Sequence, residues 1–302
     1  MIARSLPRRP LAHLLATAAL FTAAFPAAAA PIIQTAEAEI TANGGTNAAS
    51  DTGSGTDTVS AVANAPYVVF GDTTGSTGYA NAASFTNGYF YAAATGRGEF
   101  TAQSVFSREW RISNTSTVQQ AYNFSFFVPE GELRTEVLNG GAGYASYLIN
   151  IVLNSSTDVY ASGVDFHSDG SYLLNGTALN SAAAFGDHYR WSNTAVTLAL
   201  GTLNPGETLT LNYNLAATAF GNYGFDTSVP GCSLPTDTSI GFENRCGGLS
   251  SALIGDPNGI NGTAMPEITA SAVATNNVPE PGTLALLGLG LVGVVGLSRR
   301  RR

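Results

Sequence analysis

The chain has 302 residues, 44% of them hydrophobic and only 11% charged, against about 25% charged in ordinary soluble domains. It has no lysine, and the stretch 31–278 holds 6 arginines against 20 acidic residues, a net charge of −14 with His neutral. Phosphate recognition needs clustered Lys and Arg, so this balance excludes nucleic acid as a partner. Ser, Thr, Asn and Gly supply the polarity, which favours an exported all-β protein over a cytosolic enzyme, and the acidity keeps it soluble.

Residues 1–30 read as a secretory signal. Arg4, Arg8 and Arg9 are the basic region, Leu11 to Phe25 the apolar run, and Ala27 to Ala30 small residues for a signal peptidase. The alternative is a membrane anchor, but the run is short for a hydrocarbon layer of about 30 Å. Residues 31–65 follow as a flexible lead-in, because Asn43 to Thr58 contains almost no large apolar residue. A short strand is expected before that stretch at Ala36–Thr41, and another after it at Ala65–Gly71. Gly53-Ser54-Gly55 lacks the strand–turn–helix setting of a nucleophile elbow.

Strict alternation then sets in. Phe106, Arg108, Trp110 and Ile112 share one face of a strand, and Tyr122, Phe124, Phe126 and Val128 one face of the next. The polar turn Asn114-Thr115-Ser116 lies between them, which predicts an antiparallel hairpin. Further strands are expected at Tyr144–Leu153 and Trp191–Ala199. After the turn Leu203-Asn204-Pro205-Gly206-Glu207, Leu209, Leu211, Tyr213 and Leu215 alternate with Thr208, Thr210, Asn212 and Asn214. Helical periodicity is weak between the termini, and short strands punctuated by turns imply a sandwich or barrel.

Few residues could carry chemistry. His167 and His188 are the histidines beyond the leader. Asp165-Phe166-His167-Ser168-Asp169-Gly170 begins like a calcium loop, but its twelfth position is Gly176 where a bidentate acid is needed; the other reading is an Asp-Gly turn. His188, Tyr189 and Trp191 form an aromatic, polar cluster that either stacks on sugar rings or belongs to the core. Five Asn-x-Ser/Thr sequons stand at Asn114, Asn123, Asn154, Asn175 and Asn261. Thr208-Leu209-Thr210 is one Thr-x-Thr pair without an array around it, which argues against an intrinsic ice-binding face. No nucleophile, base and oxyanion hole can be assembled, and no metal or cofactor is expected. Cys232 and Cys246 lie 14 apart in a Pro/Gly/Ser-rich stretch. In an exported chain a disulfide is the expected pairing; without a CxxC or nearby His, metal and redox readings lack support.

The C-terminus runs Val278-Pro279-Glu280-Pro281-Gly282, then 15 residues of an apolar stretch from Thr283 to Leu297, then Ser298 and the basic cluster Arg299, Arg300, Arg301, Arg302. Physically this is a helix-breaking pair of prolines ahead of a stop-transfer helix whose arginines stay cytoplasmic. The three-part order resembles the PEP-CTERM sorting tails of Gram-negative bacteria, over residues 277–302 only. The same tail is sometimes labelled an ice-binding-protein C-terminal motif. The resemblance implies recognition by an exosortase near Pro279-Glu280-Pro281 and transfer to the outer surface, with association to exopolysaccharide and biofilm.

Together these observations predict a signal peptide (1–30), a flexible lead-in (31–65), an all-β antiparallel sandwich of jelly-roll or Ig-like type (66–276) and a sorting tail with a transmembrane helix (277–302). The expected function is a non-enzymatic surface or matrix protein that is membrane-anchored in transit. The alternative is a carbohydrate-binding module or glycan-active enzyme on the same scaffold.

Overall fold

The computed structural model describes residues 30–273 except 43–46, 57, 71–73, 86–88, 139, 225–227, 229, 231–245 and 256–265. The expected N-terminal signal helix and C-terminal transmembrane helix lie outside the described residues. Among the described residues no helix is long and apolar enough to cross a membrane. The described chain is all-β, in the order β1 (Ala30–Ala42), β2 (Asn47–Gly55), β3 (Ser60–Phe70), β4 (Thr74–Ser84), β5 (Phe90–Ser113), β6 (Gln120–Val128), β7 (Gly131–Glu136), β8 (Gly141–Leu153), β9 (Thr157–His167), β10 (Tyr172–Gly176), β11 (Ala183–Phe185), β12 (His188–Trp191), β13 (Thr194–Leu203), β14 (Thr208–Tyr223), β15 (Leu249–Gly255) and β16 (Glu267–Ala272).

The strands pair antiparallel throughout and form one 13-stranded sheet and one 3-stranded sheet. The large sheet is folded about β5, a strand of 24 residues. The first part of β5 pairs with β4 and β15, and the second part with β1 and β14. Glycine makes the change of direction possible. A Cβ on Gly96 would lie 2.4 Å from the Phe100 ring, and Gly98 takes φ +77°, where L side chains are strained. One half-sheet therefore reads β2-β1-β5-β14-β8-β9-β10, and the other β3-β4-β5-β15-β7-β12-β11. The small sheet is β13-β6-β16.

The buried faces follow the period of two that strands impose. The first half-sheet buries Phe106, Trp110 and Ile112 from β5, Leu211, Tyr213 and Leu215 from β14, and Ile149 and Ile151 from β8. The small sheet packs on that face through aromatic rings: Trp110 meets Phe124 at 5.5 Å between centroids, and Phe126 meets Tyr213 edge-on at 5.2 Å. Farther along, alanine takes over. Ala36, Ala38 and Ala42 of β1, Ala61, Ala63 and Ala65 of β3, and Ala80 and Ala82 of β4 are buried. The approach is so close that a Cβ on Gly78 would fall 1.9 Å from Ile40 Cδ1.

Arg108 lies on the buried face of β5 and is 6% exposed. Its Nε donates to Gln34 Oε1 at 2.9 Å, and its guanidinium sits 4.7 Å from the Phe90 ring centroid. Burial lowers its pKa to about 10, so it stays charged at neutral pH, held by an amide acceptor and aromatic faces.

Three expectations require correction. The stretch 31–65 is expected from sequence to be a flexible lead-in, but its described residues supply β1, β2 and the start of β3, and their alternating alanines and Ile40 are core. Alanine buries little area per residue, so its alternation is a faint signal, and β2 is a mostly exposed polar strand held by its ladder to β1. Second, β5 and β6 alternate as expected but do not pair as a hairpin. They belong to different sheets and face each other through Trp110 and Phe124. Asn114 carries the crossing: buried, it donates from Nδ2 to Val118 O and Leu203 O, each at 2.8 Å, and accepts from Ser116. Third, the expected strand Trp191–Ala199 divides between β12 in the large sheet and β13 in the small one.

Candidate functional site

The outward face of the second half-sheet carries a connected set of polar and charged side chains. Antiparallel register places Asn64, Tyr79, Thr95, Ser251, Arg134, His188 and Phe185 in one row across the strands. Their sequence neighbours Ala65, Ala80, Ala94, Ala252, Leu133 and Tyr189 point inward and are buried. The row crosses a groove of about 370 Å³ whose floor includes Ala93, Thr95, Ser251 and Leu253, with Tyr79 towards one end and Glu132 and Arg134 towards the other.

Each end of the groove is built differently. On the Tyr79 side, Asn81 Nδ2 donates to the hydroxyls of Tyr79 and Tyr91, at 2.6 Å each. Phe85 stacks on Tyr91 at 5.9 Å. Burial raises the Tyr91 pKa, so its phenol stays protonated. On the opposite side, β7 and β12 present alternating charges. His188 lies between two carboxylates, with Nδ1 3.2 Å from Glu132 and Nε2 3.1 Å from Asp187. Arg190 Nε is 3.0 Å from Glu132, and Arg134 contacts Glu136 at 3.2 Å and Asp187 at 3.9 Å. Ion pairs this exposed contribute roughly 0–1 kcal/mol each. The network therefore adds little stability; it holds donors and acceptors at the groove's end.

Of the aromatic cluster read from sequence, only His188 belongs to this face. Tyr189 and Trp191 are 1% and 4% exposed. Tyr189 packs on Tyr172 and Phe166, and Trp191 packs on Tyr147 while its Nε1 donates to Pro129 O at 2.9 Å. A sugar cannot stack on rings already covered, so these two are core residues. The alternation along β12 explains the split, since His188 and Arg190 point out while Tyr189 and Trp191 point in. Tyr79, Thr95, Ser251 and Arg134 escaped sequence reading because each stands on a different strand. The one local trace was the alternation of Glu132, Arg134 and Glu136 along β7.

Asp169 forms a turn between β9 and β10, accepting from Ser171 N at 2.9 Å and Ser171 Oγ at 2.6 Å, with Gly170 at φ +82°. These bonds lower the Asp169 pKa. Among the described residues no group of three or more His, Cys, Asp or Glu gathers as a metal site. The sequon residue Asn114 is 1% exposed and its amide is fully engaged. Cys246 is buried. Cys232, Val278, Pro279, Glu280, Pro281 and Arg299 to Arg302 lie outside the described residues.

Comparison with known proteins bears on the tail. Residues 277–302 match the family model described as the PEP-CTERM protein-sorting motif. The chain carries a PEP-CTERM sorting tail. That tail implies an exported protein that passes transiently through membrane-associated sorting by an exosortase on its way to the cell surface. Curated proteins contain no match. Among solved structures, the one entitled "Structure of infectious bursal disease virus Gx strain" aligns over 82% of this chain and 63% of that chain, at 10% identity and a TM-score of 0.14. A TM-score so low supports no inference about the passenger ahead of the PEP-CTERM tail.

Proposed function

We propose that this chain is a non-enzymatic surface protein of a Gram-negative bacterium, a sandwich-type passenger that the PEP-CTERM tail delivers into an exopolysaccharide or biofilm matrix. The PEP-CTERM motif at residues 277–302 carries this reading. The all-β passenger, the absence of lysine and the low charge support it. In this reading Pro279, Glu280 and Pro281 are substrate residues for the exosortase, Thr283 to Leu297 span the membrane before processing, and the terminal arginines hold the tail on the cytoplasmic side. Cys232 and Cys246 form a disulfide that closes a loop and contributes about 3 kcal/mol in the chain-entropy model. A non-reducing peptide map should recover the linked pair.

Deleting residues 279–302 tests delivery directly. Surface labelling of intact cells should fall to background while total protein persists. Unchanged surface display would overturn the proposal. A second reading, a glycan-active enzyme on the same scaffold, is favoured by Glu132 and Asp187 flanking His188 beside the end of the groove. It predicts new reducing ends from the organism's own polysaccharide, lost in Glu132→Gln.

A further inference from the structure

We infer that the outward face of the second half-sheet binds a neutral polysaccharide chain lying across the strands, through the groove and along the register row from Tyr79 to Phe185 beyond it. This rests on the matrix reading above and names its ligand class. The first ground is shape. Tyr79 and Phe185 stand five strands apart in one register row. At a strand spacing of about 4.8 Å that is on the order of 24 Å, room for several sugar rings end to end. The floor between them is built from Ala93, Thr95 and Ser251, side chains small enough for a ring to lie flat.

The second ground is chemistry. Sugars offer apolar ring faces and a rim of hydroxyls that both donate and accept. Phe185, 65% exposed, is a large aromatic in water at one end of the row, and Tyr79 is braced through its hydroxyl by Asn81 at the other. Between them, Arg134 and His188 offer donors, and Glu132 and Asp187 acceptors. Arg134 Nε and His188 Nδ1 are buried atoms without an aligned hydrogen bond among the described residues, although carboxylates stand 3.9 and 3.2 Å away. These two atoms are unsatisfied donor or acceptor positions at the groove's end, on side chains anchored elsewhere by Arg134 Nη2 to Glu136 and His188 Nε2 to Asp187.

The third ground is charge, which selects neutral over anionic polymers. The groove lining carries Arg97 and Arg134 against Glu132, and Glu136, Asp187 and Arg190 stand beyond its end, so the charges around it balance, while 31–278 as a whole carries −14 with His neutral. A uronate or sulfated chain would meet long-range repulsion from that excess, and a neutral one would not.

The experiment uses the full chain in mild detergent against an array of neutral polymers (glucan, mannan, galactan) and anionic ones (alginate, hyaluronan). Saturable binding to at least one neutral polymer is expected, weakened about tenfold or more by Phe185→Ser and by Arg134→Gln. Phe185 is a surface residue, so its variant should melt with the wild type. Circular dichroism melts check both variants. Binding to no neutral polymer, preference for an anionic one, or neutral binding untouched by both substitutions would overturn the assignment. Surface display lost on tail deletion while array binding persists supports it, since the groove then works independently of delivery. A wild-type chain that is displayed normally and binds no neutral polymer sinks the groove assignment alone.

Discussion

The two halves of the interior are built from different side chains. Where the small sheet meets the first half-sheet, Trp110, Phe124, Phe126 and Tyr213 pack ring against ring. Where the two halves of the large sheet close on each other, the buried residues are chiefly alanine, with Ile40 seated over Gly78. Large rings bury more area per residue and add about 0.5–1.5 kcal/mol per well-oriented pair. Alanine contributes less per residue but lets two backbones approach closely. The aromatic half should thus be sensitive to deletion, and the alanine half to insertion.

The largest expected effect breaks the aromatic half. Phe124→Ala, which removes a ring packed on Trp110, Phe126 and Tyr213, should cost about 3–5 kcal/mol in urea unfolding. Asn114 is the seam between the sheets, and Asn114→Ala removes the side-chain donor to Leu203 O and one of two to Val118 O, which keeps Ser116 Oγ. It should cost about 1–3 kcal/mol by the same measurement. The alanine half is probed by the opposite change. Ala82→Val, a gain of only two methyl groups at a fully buried site, should also cost about 1–3 kcal/mol through overpacking. If deletions and insertions hurt both halves alike, the contrast is wrong.

Alkali should sharpen the same contrast. Burial raises the pKa of Tyr213 and Tyr147 well above the ordinary phenol value. A raised phenol pKa means that the unfolded chain ionises first. The stability these residues contribute is present below pH about 10 and is lost as pH rises beyond it. Tyr213→Phe should flatten the decline of the melting temperature above that pH, whereas Ala82→Val should shift the whole curve without changing its slope. The smallest effect is on the surface: Arg190→Gln, which breaks the Glu132 contact, should change stability by less than about 1 kcal/mol.

Legibility in the sequence tracks the same division. The aromatic strands announce themselves because Phe106 to Ile112 and Tyr122 to Val128 alternate strongly. The alanine strands do not, and so residues 31–65 look like a lead-in. Alternation states which face is buried but not against what, which is why β5 and β6 look like hairpin partners and are instead opposed layers. The same limit hides the groove. Along β12 the pattern can separate His188 from Tyr189 and Trp191, yet nothing local says that Tyr79, Thr95, Ser251 and Arg134 share a row. That row exists through four strand pairings between distant segments.

By itself, the sequence determined the all-β class, the alternating strands of the aromatic half and the sorting tail, which its own consecutive residues spell out. A short motif read by another enzyme needs no fold to be recognisable. Only tertiary structure decided that the alanine-rich N-terminal segment is core, that β5 serves two half-sheets through its bend at Gly96 and Gly98, and that a groove lined from both ends of the chain lies on the outer face. These depend on long-range register, and register is set by packing between strands far apart in sequence.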